Sequence, residues 1–264
     1  MNRPIGIFDS GVGGLTVASA IKTVLPHESF IYYGDTRHAP YGDKSKNTIA
    51  QYSLRITSFL EQQNCKAIVI ACNSASAAAY GQLKKFYPQL FILNVIDPIV
   101  ERVAARNFSK VGVIATRATT KSKVYAKKLH RLQPNLEVAL KATPLLAPLV
   151  EEGFAQTEIS RGLIQRYLND PALENLDALI LGCTHYPLLQ AEIADYYQNK
   201  VEIINSSTWV AQALKEALAK RKLLNTQTKP SYRFYVSEKT AAFADVSKLF
   251  FGAKIKLTEQ VLST

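Results

Sequence analysis

Two cysteines sit in settings suited to chemistry. One ends the run Ala67-Ile68-Val69-Ile70-Ala71-Cys72-Asn73-Ser74, the other the run Ala178-Leu179-Ile180-Leu181-Gly182-Cys183-Thr184-His185. Each is a hydrophobic stretch too short for a helix, followed by a small residue, the cysteine and small polar residues. This pattern predicts a buried parallel strand passing into a loop. Ligands of open α/β sheets collect beyond the carboxyl ends of such strands.

A thiolate removes protons and a neutral thiol returns them, about a reference pKa near 8.5. One of each, on opposite faces of a carbon acid, takes a proton from one side and delivers one to the other. That inverts a stereocentre with no cofactor. The thiols need polar neighbours to tune and orient them. His185 shares the loop of Cys183, and Asp9 and Glu151 supply carboxylates from other strand ends. Asn73, Ser74 and Thr184 bring amide and hydroxyl groups that suit the carboxylates and ammonium of an amino acid. No metal is expected, because Cys183 and His185 are two potential ligands with no second pair at the usual spacing. Cys65 lacks such a setting and reads as structural.

The elements that must position these groups follow in order. Ile5-Gly6-Ile7-Phe8 reads as a strand running into Asp9-Ser10-Gly11-Val12-Gly13-Gly14, after which Leu15, Val17, Ala18, Ile21 and Leu25 recur at helical spacing. The turn is not a dinucleotide fingerprint, since Thr16 stands where a third glycine belongs. Next come a strand from Ser29 to Tyr33 and a loop in which Asp35, Arg37 and His38 read as solvated. A helix from Lys46 to Asn64, the Cys72 strand, a helix from Ala75 to Phe86 and a strand from Leu90 to Val95 follow, with Asp97-Pro98 as punctuation.

The pattern then restarts. Lys110 to Thr116 resembles Ile5 to Ser10, and a helix from Thr120 to Leu132 and a strand from Val138 to Lys141 follow. Pro148 to Gly153 opens a loop, and a helix from Gln156 to Leu168 precedes the Cys183 strand. Both halves thus run strand, helix, strand, loop, helix, cysteine strand, which predicts a duplicated α/β unit with both cysteines at one cleft. The tail reads as a helix from Trp209 to Leu223, a linker, a strand from Tyr232 to Ser237, a helix from Ala241 to Phe250 and a strand from Ala253 to Leu257. It should pack back on the first unit.

The 264 residues, 47% apolar and 20% charged, are ordinary for a globular chain. No run approaches the roughly 18 apolar residues of a membrane span, and the N-terminus enters a strand too soon for a signal peptide. Three cysteines argue for a reducing cytoplasm rather than a disulfide framework. The net charge of +11 reads first as a solvated basic face and second as steering for a small acidic substrate. No nucleic-acid motif accompanies it.

Five motifs together carry a family resemblance. They are Asp9-Ser10-Gly11-Val12-Gly13-Gly14-Leu15-Thr16, Gly34-Asp35-Thr36 with Pro40-Tyr41-Gly42, Ala71-Cys72-Asn73-Ser74-Ala75, Pro148-Leu149-Val150-Glu151, and Gly182 to Leu189. From Ile5 to about Leu189 the chain resembles the bacterial glutamate racemase family. The resemblance implies two pseudo-symmetric three-layer α/β domains with mainly parallel sheets, residues 1–96 with 209–264 and residues 97–208, the site lying between them. It implies a cofactor-independent racemase, usually a cytoplasmic homodimer, that supplies D-glutamate for peptidoglycan.

By the family pattern Cys72 deprotonates the D enantiomer, assisted by Asp9. Cys183 deprotonates the L enantiomer, assisted by Glu151 and His185. Asp9, Ser10, Tyr41, Gly42, Asn73, Ser74, Thr184 and His185 hold the substrate. Two other readings stand beside this one: an aspartate or other amino-acid racemase of the same superfamily, and a non-catalytic basic α/β protein that binds nucleic acid or a protein.

Overall fold

In a computed structural model, described over residues 3–262, the alternating strands and helices form two sheets. Strands β1 (Ile5–Asp9), β2 (Phe30–Gly34), β3 (Ala67–Ile70) and β4 (Phe91–Asn94) belong to the first. Strands β5 (Lys110–Ala115), β6 (Glu137–Ala142), β7 (Ala178–Gly182) and β8 (Glu202–Ile204) make the second. Late in the chain β9 (Tyr232–Val236) and β10 (Leu257–Glu259) return to the first sheet. Its order is β10-β9-β2-β1-β3-β4, and that of the second is β6-β5-β7-β8. Every pairing is parallel. The order β2-β1-β3-β4 recurs as β6-β5-β7-β8, so the second sheet repeats the central topology of the first.

Helices α1 (Leu15–Val24), α2 (Lys46–Gln62), α3 (Asn73–Phe86) and α4 (Asp97–Ala104) follow β1 to β4 in turn. After β5 come α5 (Arg117–Ser122) and α6 (Val124–Leu132), and after β6 come α7 (Leu146–Glu151) and α8 (Glu158–Leu168). Then α9 (Gln190–Tyr196) follows β7, α10 (Ser206–Lys220) follows β8, and α11 (Ala241–Phe251) links β9 to β10.

The apolar runs are continuous because both faces of each central strand are covered. In β1, Ile5 and Ile7 enter one core while Phe8 enters another, and in β3 Val69 and Ile70 divide the same way. The Phe8 core is closed by α2 and α3. The Ile5 core includes α1, α4 and α10 and continues without a break to Val113 and Leu181 of the second sheet. Each fully buried aliphatic side chain contributes about 1.5–3 kcal/mol, so this shared core fixes the two sets of strand ends relative to one another. Cys65 packs below β1, where its sulfur would lie 3.2 Å from a Cβ placed on Gly6, and burial pushes its thiol up to about 12.

Several elements differ from the sequence reading. Asp97-Pro98 opens α4 rather than marking a turn, the proline taking an early position where its missing N–H costs nothing. The helix expected from Thr120 to Leu132 is two, broken at Lys123 in the left-handed region (φ 55°). Thr119, Tyr125 and Leu129 still bury one side, so the apolar spacing runs through the break. The loop expected at Pro148 is instead the end of α7, which carries Glu151 at its last position. Neither α9 nor the three-residue edge strand β8 was anticipated, both being too short for a clear period. The last strand lies at Leu257–Glu259 rather than at Ala253 to Leu257.

Candidate active site

Cys72 caps the N-terminus of α3, directly beyond β3. Its extended backbone lets Sγ accept the Ala75 N–H at 3.4 Å, while the thiol donates to Ser10 Oγ at 3.8 Å. Cys183 follows β7, with Sγ 3.7 Å from His185 Nδ1. The opposite ring nitrogen, Nε2, lies 2.7 Å from Glu151 Oε1. Sulfur, imidazole and carboxylate therefore form one chain, the carboxylate arriving from the end of α7.

The two strand-end loops are tied together. Asp9 accepts the Gly11 N–H at 2.9 Å on Oδ1 and the Thr184 hydroxyl at 3.4 Å on Oδ2. Thr16 donates to the Thr184 carbonyl at 3.1 Å. Only glycine fits where these loops cross: a Cβ on Gly13 would lie 2.4 Å from Thr184 Oγ1 and 2.5 Å from the His185 ring.

Both cysteines line one cavity of about 310 Å³. Ser10, Tyr41, Gly42, Asn73, Ser74, Glu151, Thr184 and His185 also line it, so nearly all the residues singled out from the sequence come together there. Asp9 is the exception: it is fully buried behind the wall, with its carboxylate taken up by Gly11 and Thr184. Tyr41 lines the cavity, but its hydroxyl donates to Asp35 Oδ2 at 2.5 Å. Asp35, expected to be solvated, is buried beneath Tyr41 and also lies 2.8 Å from His38 Nδ1.

Thr116, Arg117, Pro144, Ala147 and Pro148 line the cavity without having been anticipated. The internal repeat held a signal for the first of these. Phe8 pairs with Ile70 and Ile114 with Leu181, so Thr116 stands where Ser10 stands in the first half. By the same register Ala115 occupies the place of Asp9. The duplication is thus unequal: a buried carboxylate serves the first half, and His185 stands where the first half has Ser74.

The electrostatics follow this inequality. Burial, then the Asp9 charge, pushes the Cys72 thiol up to about 12, against the N–H of Ala75 and the hydroxyl of Ser10. Burial alone lowers a histidine, but hydrogen bonds to Cys183 and Glu151 and the charges of both outweigh it, holding His185 at about 10. Burial raises Asp9 above the ordinary carboxylate value, countered by the positive charge of His185. At neutral pH the site therefore holds a neutral thiol at Cys72 and an imidazolium beside Cys183.

A repeated α/β fold with two strand-end thiols over one cavity now gives the class. A family profile described as Asp/Glu/Hydantoin racemase matches residues 15–214, and the chain belongs to that family. A glutamate racemase of Neisseria meningitidis serogroup C is 41% identical over 262 residues, 98% of this chain and 96% of that one. A glutamate racemase of Geobacter metallireducens is 41% identical over 261 residues, with the same shares covered. The crystal structure of glutamate racemase from Francisella tularensis in complex with D-glutamate matches with a TM-score of 0.93 at 38% identity, covering 99% of this chain and 98% of that one.

Proposed function

We propose that this chain interconverts L- and D-glutamate by two-base proton transfer between Cys183 and Cys72. The observation that carries the proposal is that two thiols line one cavity, Cys72 beside the Ser10 hydroxyl and Cys183 beside the imidazolium of His185. With L-glutamate bound, the Cys183 thiolate takes the α-proton and becomes a thiol. The electron pair left at Cα spreads into the α-carboxylate, which accepts hydrogen bonds from groups of the wall. Cys72 delivers its proton to the opposite face and is left as the thiolate, so D-glutamate forms and the proton count is unchanged. The reverse direction begins from Cys72.

In this reading Ser10 orients Cys72, and Glu151 holds the proton and ring plane of His185. Asp9 acts through Thr184 and through its charge rather than by touching substrate. Gly42, Asn73, Ser74, Thr184 and the ring of Tyr41 form the substrate wall. The reading also divides the chain into residues 1–96 with 209–264 and residues 97–208. It includes a cytoplasmic homodimer that supplies D-glutamate for peptidoglycan, with oligomeric state to be read by sedimentation.

The test is proton NMR of L-glutamate in D₂O with the purified protein, with optical rotation followed in parallel. Rotation decaying to zero while solvent deuterium enters at Cα supports the proposal. A persistent α-proton and unchanged rotation refute it, and turnover of L-aspartate in place of L-glutamate shifts the substrate assignment.

The His185–Glu151 pair has its own consequence. Because Cys183 and Glu151 together hold the histidine up at about 10, His185 keeps its proton through neutral pH and loses it as pH rises through that value. Glu151→Gln removes the negative partner, so the proton leaves at lower pH. The alkaline limb of kcat/KM for L-glutamate should move to lower pH in this variant. A limb unchanged from wild type would contradict the assignment.

A further inference from the structure

One residue outside the cavity lining bears directly on it. Tyr125 lies on α6, in the second half of the chain, and is almost completely buried. Its hydroxyl donates across the seam to Asn73 Oδ1 at 2.7 Å. Asn73 is the residue after Cys72 and lines the cavity. Its Nδ2 is buried and has no partner among the described residues. A buried amide N–H₂ left unpaired costs about 1–3 kcal/mol, so a group of this kind calls for an acceptor.

We propose that Tyr125 is a positioning residue for substrate recognition. By occupying Oδ1 it fixes which edge of the Asn73 carboxamide is free, so that Nδ2 donates to a carboxylate of glutamate. Without the hydroxyl, the amide turns over at little cost and presents its oxygen to the substrate, an acceptor facing an anion. The tyrosine belongs to one half and the asparagine to the other, so the wall beside Cys72 is set correctly only when the halves are closed together. The inference rests on the cavity being the glutamate site.

The test combines Tyr125→Phe, Asn73→Ala and the double variant. Steady-state kinetics are measured in both directions, and D-glutamate binding by calorimetry. Tyr125→Phe should raise KM and weaken D-glutamate binding about tenfold, the worth of one hydrogen bond of this kind, with kcat within about twofold. The double variant should be no worse than Asn73→Ala, because Tyr125 acts through Asn73. Additive losses, or a Tyr125→Phe variant that loses thermal stability with KM unchanged, would overturn the proposal.

Should the phenylalanine variant not fold, Asn73→Asp carries the test. It keeps the acceptor for Tyr125 but replaces the donor, and unchanged affinity would overturn the inference. Wild-type protein that neither binds nor racemises glutamate overturns the reading of the cavity itself. Wild-type activity with an indifferent Tyr125→Phe overturns this inference alone.

Discussion

Replacing either Cys72 or Cys183 by alanine lowers racemisation of glutamate by roughly 10²–10⁴-fold, the usual worth of a positioned acid or base. The two losses should differ in kind. In Cys72→Ala the thiolate of Cys183 still meets the α-proton of the L enantiomer, but no acid stands on the opposite face. L-Glutamate in D₂O then takes up deuterium at Cα with its configuration retained, faster than it racemises. In Cys183→Ala the mirror pattern holds: D-glutamate exchanges and L-glutamate does not. NMR of each enantiomer, with chiral analysis of the products, separates exchange from inversion. A variant that keeps more than about a tenth of wild-type racemisation, or loses exchange on both enantiomers equally, contradicts the division of labour. The asymmetry is expected because the two sulfurs stand in different fields, one facing a buried carboxylate and the other an imidazolium.

Gly13→Ala is expected to reduce kcat/KM at least about 100-fold while leaving the fold intact. The added methyl meets Thr184 Oγ1 at 2.4 Å and His185 Nδ1 at 2.5 Å, inside van der Waals contact. Neither side chain is free to retreat: Thr184 bonds Asp9, and His185 is held at 2.7 Å by Glu151. The imidazolium must therefore leave its place beside Cys183, and a shift of about 1 Å in such a group costs on the order of 100-fold. The sheets and their cores are untouched by the clash, so far-UV circular dichroism should match wild type. Gly81→Ala makes the control, since a Cβ there meets nothing within 4 Å. Wild-type activity in Gly13→Ala would show that the loop crossing tolerates a side chain and that His185 is not held by it.

Much of this molecule is legible along the chain. Each cysteine lies at a strand end because a run such as Ala178-Leu179-Ile180-Leu181-Gly182 is apolar at every position, which only a strand covered on both faces requires. The repeated schedule of elements predicted a duplicated α/β unit, and the residues following each strand supplied most of the cavity lining. These are local facts, fixed by burial period and by the small polar residues that end each run.

The sequence was silent where a side chain's partner comes from the other half. Asp9 sits behind the wall and bonds Thr184, and Tyr125 reaches Asn73. Arg117 lines the cavity although it belongs to none of the motifs. The break at Lys123 and the helical turn that delivers Glu151 were equally hidden, since neither changes the apolar spacing that a sequence displays. Most of the residues that face the cleft follow a strand end, while α7 brings Glu151. What each of them touches was decided by how the two sheets pack across a seam filled with apolar side chains, because hydrogen-bond partners are set by distances of tenths of an ångström that no one-dimensional pattern encodes.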